Sequence, residues 1–198
     1  GFLTPNAGTV TMQSENLLGL SQQKLRDKGV ALIPEDRMLY GIAGSASIEE
    51  NLISDRSAEK RLNHGPLFNM KAIHDEADKL IEDYAVLCKS RKQQVGMLSG
   101  GNIQKVVVAR EFSGNPVLIL ADQPTRGIDV GAKATIYQLI SKLKKSGMGV
   151  LFFTSDMSEI PVVCDRVIVL SDGEISGRIE GRDVTIGKIL QYAAGGKE

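Results

Sequence analysis

The stretch VLILADQPTRGID, residues 117–129, decides how this chain is read. Its first five residues, Val117 to Ala121, are continuously apolar and strand-sized, the pattern of a strand buried on both faces rather than one alternating between core and solvent. The run delivers a carboxylate, Asp122, to the strand end, followed by an amide, Gln123, and a turn that closes on Asp129.

Outward from this strand, short apolar segments at 30–33, 117–121, 150–154 and 167–170 alternate with amphipathic helical patterns, and a hairpin is expected around 172–179. Such alternation predicts an α/β domain with a largely parallel sheet. A further short strand is expected at 9–12. Between the first two main strands lies a helical insertion. Ser47 and Glu50 form a capping-box pattern opening SIEENLI, and residues 71–87 set Ile73, Ala77, Leu80, Ile81 and Tyr84 on one face. Met70 is read with Ile73 and Leu80 as core of this insertion. The connecting segment SDRSAEKRLNHGPLF, 54–68, is polar enough for a surface loop. Downstream, Ile136, Leu139, Ile140 and Leu143 predict a helix stopped by Gly147, with the lysines of KLKKSG at its solvated end.

The bulk composition narrows the partners. With 198 residues, 42% hydrophobic and 24% charged, the chain suits one domain with an inserted subdomain. Its 24 basic residues balance 24 acidic ones, so bulk charge favours neither nucleic acid nor an anionic membrane. Cys88 and Cys164 are far apart and form no zinc or disulfide pattern, which makes a reducing compartment the default. No apolar run approaches the ~20 residues of a membrane helix. His64 and His74 read as surface residues, having no clustered ligands.

The second informative string is LSGGNIQKVVVARE, residues 98–111. Two glycines after a serine, opening a helix, expose backbone N–H groups and the positive end of the helix dipole to an anion. Ser99 can either cap that helix or donate to phosphate. Alone, serine followed by two glycines is as well explained by an ordinary loop and cap.

Taken together, the LSGGN string, VLILAD, RGID, FFTSDMSEI (152–160) and CDRVIVLSDGEISG (164–177) resemble, in order and spacing, the ATP-binding subunit of an ABC transporter. ALIPEDRMLYGIAGSASIEENL, residues 31–52, and QPTRGIDVGA are similar to the second, C-terminal nucleotide-binding domain of the tandem ATPases that serve simple-sugar and nucleoside importers. The resemblance implies a P-loop NTPase-like fold with ATP and magnesium as ligands. It also implies a second nucleotide-binding domain and permease subunits as direct partners, and a solute-binding protein as an indirect one. No nucleic-acid partner is implied, and the place is the cytoplasmic face of the inner membrane. Residues 1–198 are expected to form one partial domain. About 35–113 would carry the Q-loop-like segment, helical subdomain and signature, and about 114–198 the Walker B strand, D-loop, switch region and last strands. No Walker A string, G-x-x-x-x-G-K-[ST], occurs, and the expectation is that the P-loop lies upstream of residue 1.

In the resemblance, Asp122 meets magnesium, while Ser99, Gly100, Gly101 and Asn102 belong to the signature that acts on ATP held by the partner domain. Asp129 sits in the D-loop that couples the two sites, and residues 38–60 meet the permease. Three positions depart from the family pattern. Gln123 replaces the glutamate that polarises water, Ser155 replaces the switch histidine, and Glu35 replaces the Q-loop glutamine. An amide orients water but cannot take its proton, and losing a general base costs about 10²- to 10⁴-fold in rate. The chain's own site is therefore expected to be degenerate and the chain by itself inactive. Glu35 and Arg37 are candidates for contact with the permease or the neighbouring site. A soluble ABC ATPase outside transport and a lapsed interaction module remain as alternatives, disfavoured by the lack of a heptad insertion or basic regions and by the intact LSGGN, respectively.

Overall fold

The computed structural model describes residues 3–196. A small hairpin of β1 (Thr11–Met12) and β2 (Glu15–Asn16) is followed by α1 (Gln22–Asp27) and β3 (Val30–Ile33). The helical insertion holds α2 (Ile48–Ile53), a hairpin of β4 (Asn63–His64) and β5 (Leu67–Phe68), and α3 (Met70–Asp83). Then come α4 (Gly100–Ser113), β6 (Leu118–Asp122), α5 (Val130–Lys145), β7 (Gly149–Phe153), α6 (Ile160–Val163), β8 (Arg166–Ser171), β9 (Glu174–Glu180) and α7 (Ile186–Ala193).

The parallel sheet has the order β3-β6-β7, with Val30 beside Leu118 and Asp122 beside Phe153. This is narrower than the sequence pattern suggests. The segment expected at 167–170 forms a strand, β8, but pairs only with β9, antiparallel, through the turn Asp172-Gly173. Both turn residues have positive φ, 52° and 81°, as a tight hairpin twisted to match its strands requires. Apolar periodicity predicts a strand without naming its neighbour. Here β8 packs through Val167 and Val169 onto Ile160, Ile179, Val184 and Ile189, a core separate from that of the sheet.

Helix α4 is the spine shared by the two larger cores. Val107, Val108 and Phe112 pack on the sheet with Ala31, Ile33, Ile119, Ala121, Ile136 and Ile140. Val106 and Ala109, on its other side, pack with Ile48, Leu52, Ala77, Leu80, Val86 and Val95 of the insertion. A helix covered on two faces is apolar nearly all round, which is why VVVA breaks the usual one-faced pattern. Glu111 near its end has a fully buried side chain that accepts from both guanidinium nitrogens of Arg26 (3.0 and 2.9 Å), from Arg110 and from the amide of Leu32 (3.2 Å). Because a parallel neighbour uses only alternate amides, Leu32 offers its N–H on the outer edge of β3, and the carboxylate satisfies it.

Three local expectations need correction. The helix expected at 71–87 ends at Asp83, because Ala85 adopts φ 50° and turns the chain so that Val86 re-enters the core. Met70, read as core, is 48% exposed at the first turn of α3. The segment 54–68 is not a plain surface loop, since Leu62 is fully buried against Ile53 and Ile73, and Arg56 is buried as well. The capping box at Ser47 and Glu50 forms as the spacing predicts, and α5 is closed by Gly147 with φ 87°.

Candidate functional site

Parallel register places the ends of β6 and β7 side by side, so the residues that follow each strand meet at one edge of the sheet, where α/β proteins gather ligands. Asp122 ends β6. Gln123 donates its backbone N–H to the carbonyl of Phe153 (2.9 Å), one step beyond the last pair. Its side-chain amide donates to the Ser155 hydroxyl (3.1 Å), and its side-chain oxygen faces the Ser155 amide (3.5 Å). Two of the three departures from the family pattern, Gln123 and Ser155, are thus each other's hydrogen-bond partners. Gln123 holds φ 46°, a left-handed conformation uncommon for a residue with a Cβ.

Asp122 is half-buried and its carboxyl is pushed up from the ordinary value, first by burial and then by the charge of Glu35. Glu35 is itself paired with Arg126. No group of three or more His, Cys, Asp or Glu side chains able to hold a metal ion exists among the described residues. A single carboxylate with a nearby negative charge suits a cation that arrives with oxygen ligands of its own, not one caged by protein.

The start of α4 lies beside the turn that follows β6. Ser99 occupies the N-cap position yet makes no capping bond; its hydroxyl accepts from Asn102 (3.0 Å) and stays exposed. Asn102 in turn accepts from the amide of Leu87 (2.8 Å), tying the helix start to the end of the insertion. Of the two readings open for Ser99, capping is therefore not the one realised. The N-terminal residues of α1, α2, α3, α5 and α7 are all capped by a side chain. Among the described helices of six or more residues, only α4 begins with that end uncovered.

The glycines are there for space. A Cβ on Gly100 would come within 2.8 Å of the Arg37 guanidinium, and one on Gly101 within 2.9 Å of the Ala132 Cβ and 3.2 Å of the Asp129 carboxylate. Arg37 reaches across to donate to the carbonyls of Arg126 (2.7 Å) and Gly127 (3.2 Å). It follows the N-cap Asp36, whose side chain accepts from the amides of Met38 and Leu39, so a local cap aims the guanidinium. Both charges expected to face a neighbour, Glu35 and Arg37, are thus engaged within the chain. Asp129 caps α5 by accepting from the Ala132 amide (3.0 Å), and that bond holds its carboxyl below the usual range.

A buried polar cluster behind this edge went unread in the sequence. Glu159, 2% exposed, accepts from the Thr125 hydroxyl (2.6 Å), Lys133 Nζ (2.8 Å) and the Thr154 hydroxyl (3.3 Å). Lys133 also reaches Asp156 (3.1 Å), and its pKa is raised chiefly by the bond to Glu159. The phenol of Tyr137 is pushed up to about 12, by burial first and by its hydrogen bond to Glu159 next. In the sequence, Glu159 is one acidic residue in a polar turn, and no period marks it as inward-facing.

A family model described as ABC transporter matches residues 1–126. The chain belongs to the ABC transporter family. It is 34% identical over 194 residues to the galactose/methyl galactoside import ATP-binding protein MglA of Clostridium perfringens and equally so to that of Escherichia coli, with 98% of this chain and 38% of each relative covered. The chain therefore spans well under half the length of these relatives. Among solved structures, a nucleotide-free ATP-binding cassette from an ABC transporter superposes with TM-score 0.74 at 20% identity, covering 96% of this chain and 76% of that one. A dimeric cassette, MJ0796, in a post-hydrolysis state bound to ADP and Pi gives TM-score 0.74 at 24% identity, covering 90% and 75%. The fold is that of an ABC ATPase with a mostly parallel sheet and an inserted helical subdomain.

Proposed function

We propose that this chain is part of the second nucleotide-binding domain of a simple-sugar or nucleoside importer, and that it lends its signature to ATP held by a partner domain while its own site is degenerate. The observation that carries the reading is the uncapped start of α4, where the Ser99 hydroxyl and the first backbone N–H groups are left for an anion while the glycines are pressed against the D-loop. Donors fixed before charge develops on a transferring phosphoryl group are the main source of rate in such chemistry. The own site lacks a base: the amide of Gln123 is bound to Ser155, and neither group takes a proton from water. Asp122 would meet magnesium brought with the nucleotide, and the metal would offset charge on the phosphates.

The open side of the sheet supports the partial-domain reading. Among the described residues no strand pairs with the outer edge of β7, where Leu151 and Phe153 are each 47% exposed, and on unattached β8 Ile168 and Leu170 are 60% and 66% exposed. A domain with its P-loop strand seated there would cover these residues. The docking face for the permease would be the groove of about 310 Å³ lined by Tyr40, Ile42, Ala46, Asn51 and Arg110, beside exposed Met38 and Leu39. No described helix is long and apolar enough to cross a membrane, which fits a peripheral subunit on the cytoplasmic face. Relatives named as galactose/methyl galactoside import proteins favour a simple sugar as the solute.

The test is uptake and ATP hydrolysis by the complete subunit with its permease. Gly100→Asp abolishes both, whereas Gln123→Ala leaves most activity; equal damage from the two substitutions refutes the reading.

A further inference from the structure

The buried carboxylate of Glu159 joins three segments that are distant in sequence. From the switch region come Thr154, through its hydroxyl, and Asp156, whose amide donates to that hydroxyl (2.9 Å). From the turn after β6 comes Thr125, itself 2% exposed and flanked by Pro124 and Arg126. From the first turn of α5 comes Lys133, which also bridges to Asp156. In the same turn, the Cβ of Ala132 leaves no room for a Cβ on Gly101 of α4, and Arg126 supplies a carbonyl that holds Arg37 beside Gly100.

We propose that Glu159 is a positioning residue that locks the switch region to the D-loop turn and the start of α5, and so fixes where the signature glycines stand. Its carboxylate is buried and acts through Lys133 and Thr125. A carboxylate with four donors, Thr125, Lys133, Thr154 and Tyr137, and almost no solvent has one low-energy placement, because moving any donor strands a buried charge. The same interactions therefore transmit a displacement of Ser155 or Asp156 to Ala132, and from there to Gly101. The inference rests on the reading that the signature serves a partner's ATP.

The experiment uses the complete subunit assembled with its permease. Glu159→Gln and Lys133→Met are each expected to lower kcat for ATP hydrolysis by about tenfold or more with KM for ATP within about twofold, the mark of misplaced groups rather than weakened binding. The double variant should be no worse than the poorer single, since both break one tie, and Lys133→Arg should recover most of the rate. Hydrogen exchange should quicken in 126–133 and 154–156 and stay unchanged in the β8–β9 hairpin. Val169→Ala, in the separate hairpin core, should lower Tm and leave kcat alone. Unchanged kcat in Glu159→Gln and Lys133→Met, while Gly100→Asp abolishes hydrolysis, overturns the positioning role and leaves the proposed function standing. Activity surviving Gly100→Asp counts against the proposed function instead, and exchange that rises uniformly through the chain would make Glu159 a purely structural residue.

Discussion

The start of α4 and the end of β6 lie on either side of the same Arg37-braced turn, yet their positions are fixed by different means. At α4 the constraint is steric: Gly101 has no room for a methyl group beside the Ala132 Cβ, and one on Gly100 would have to displace the Arg37 guanidinium. At β6 it is polar and adjustable, with Gln123 and Ser155 satisfying each other and the Gln123 backbone held at a positive φ. Close packing penalises even one added methylene, whereas partly exposed hydrogen bonds are readily exchanged for water. On the proposed function, the contrast lets the residues at the end of β6 change while the surface at the start of α4 keeps its shape.

The largest effect that would break this comparison is at Gly101. Gly101→Val should destabilise the fold by about 1–3 kcal/mol through overpacking against Ala132, and adding Ala132→Gly should restore part of the loss in thermal melts. A harmless Gly101→Val would mean that the signature is not sterically fixed. At the other end, Gln123→Ala should cost only about 0.5–1.5 kcal/mol, and a cycle with Ser155→Ala should show that the second substitution adds little.

Smaller effects separate the two aspartates by sign. The Asp129 carboxyl, held below its ordinary 3.8 by the Ala132 amide, contributes stability that is present above that value and lost as pH falls further. Asp122 behaves oppositely. With its pKa raised by burial and by Glu35, its contribution is fully present below 3.8 and is lost as pH rises through the higher folded value. Asp122→Asn should therefore raise Tm slightly at neutral pH, while Asp129→Asn keeps the cap and flattens the acid limb. A fall in Tm for Asp122→Asn would show that the carboxylate is not under electrostatic strain.

Much of the site was legible because its chemistry is local in sequence. The apolar run before Asp122, the Ser-Gly-Gly opening of a helix and the Ser47/Glu50 cap each depend on neighbours within a few residues. Glu159 was missed for the opposite reason, its donors coming from positions 125, 133 and 154. Glu35 and Arg37 were seen as charges, but a charge in sequence does not say whether its partner is a permease or the carbonyl of Arg126.

By itself, then, the sequence determined the elements, the order of the motifs and the family they resemble, since hydrophobic period and capping chemistry act over one or two turns. Tertiary structure alone decided that β8 stands apart from the parallel sheet, that α4 serves two cores, that Ser99 leaves its helix uncapped, and that the buried carboxylate of Glu159 gathers donors from Thr125, Lys133 and Thr154. Those outcomes depend on which distant surfaces exclude water from one another, and no local pattern encodes that choice.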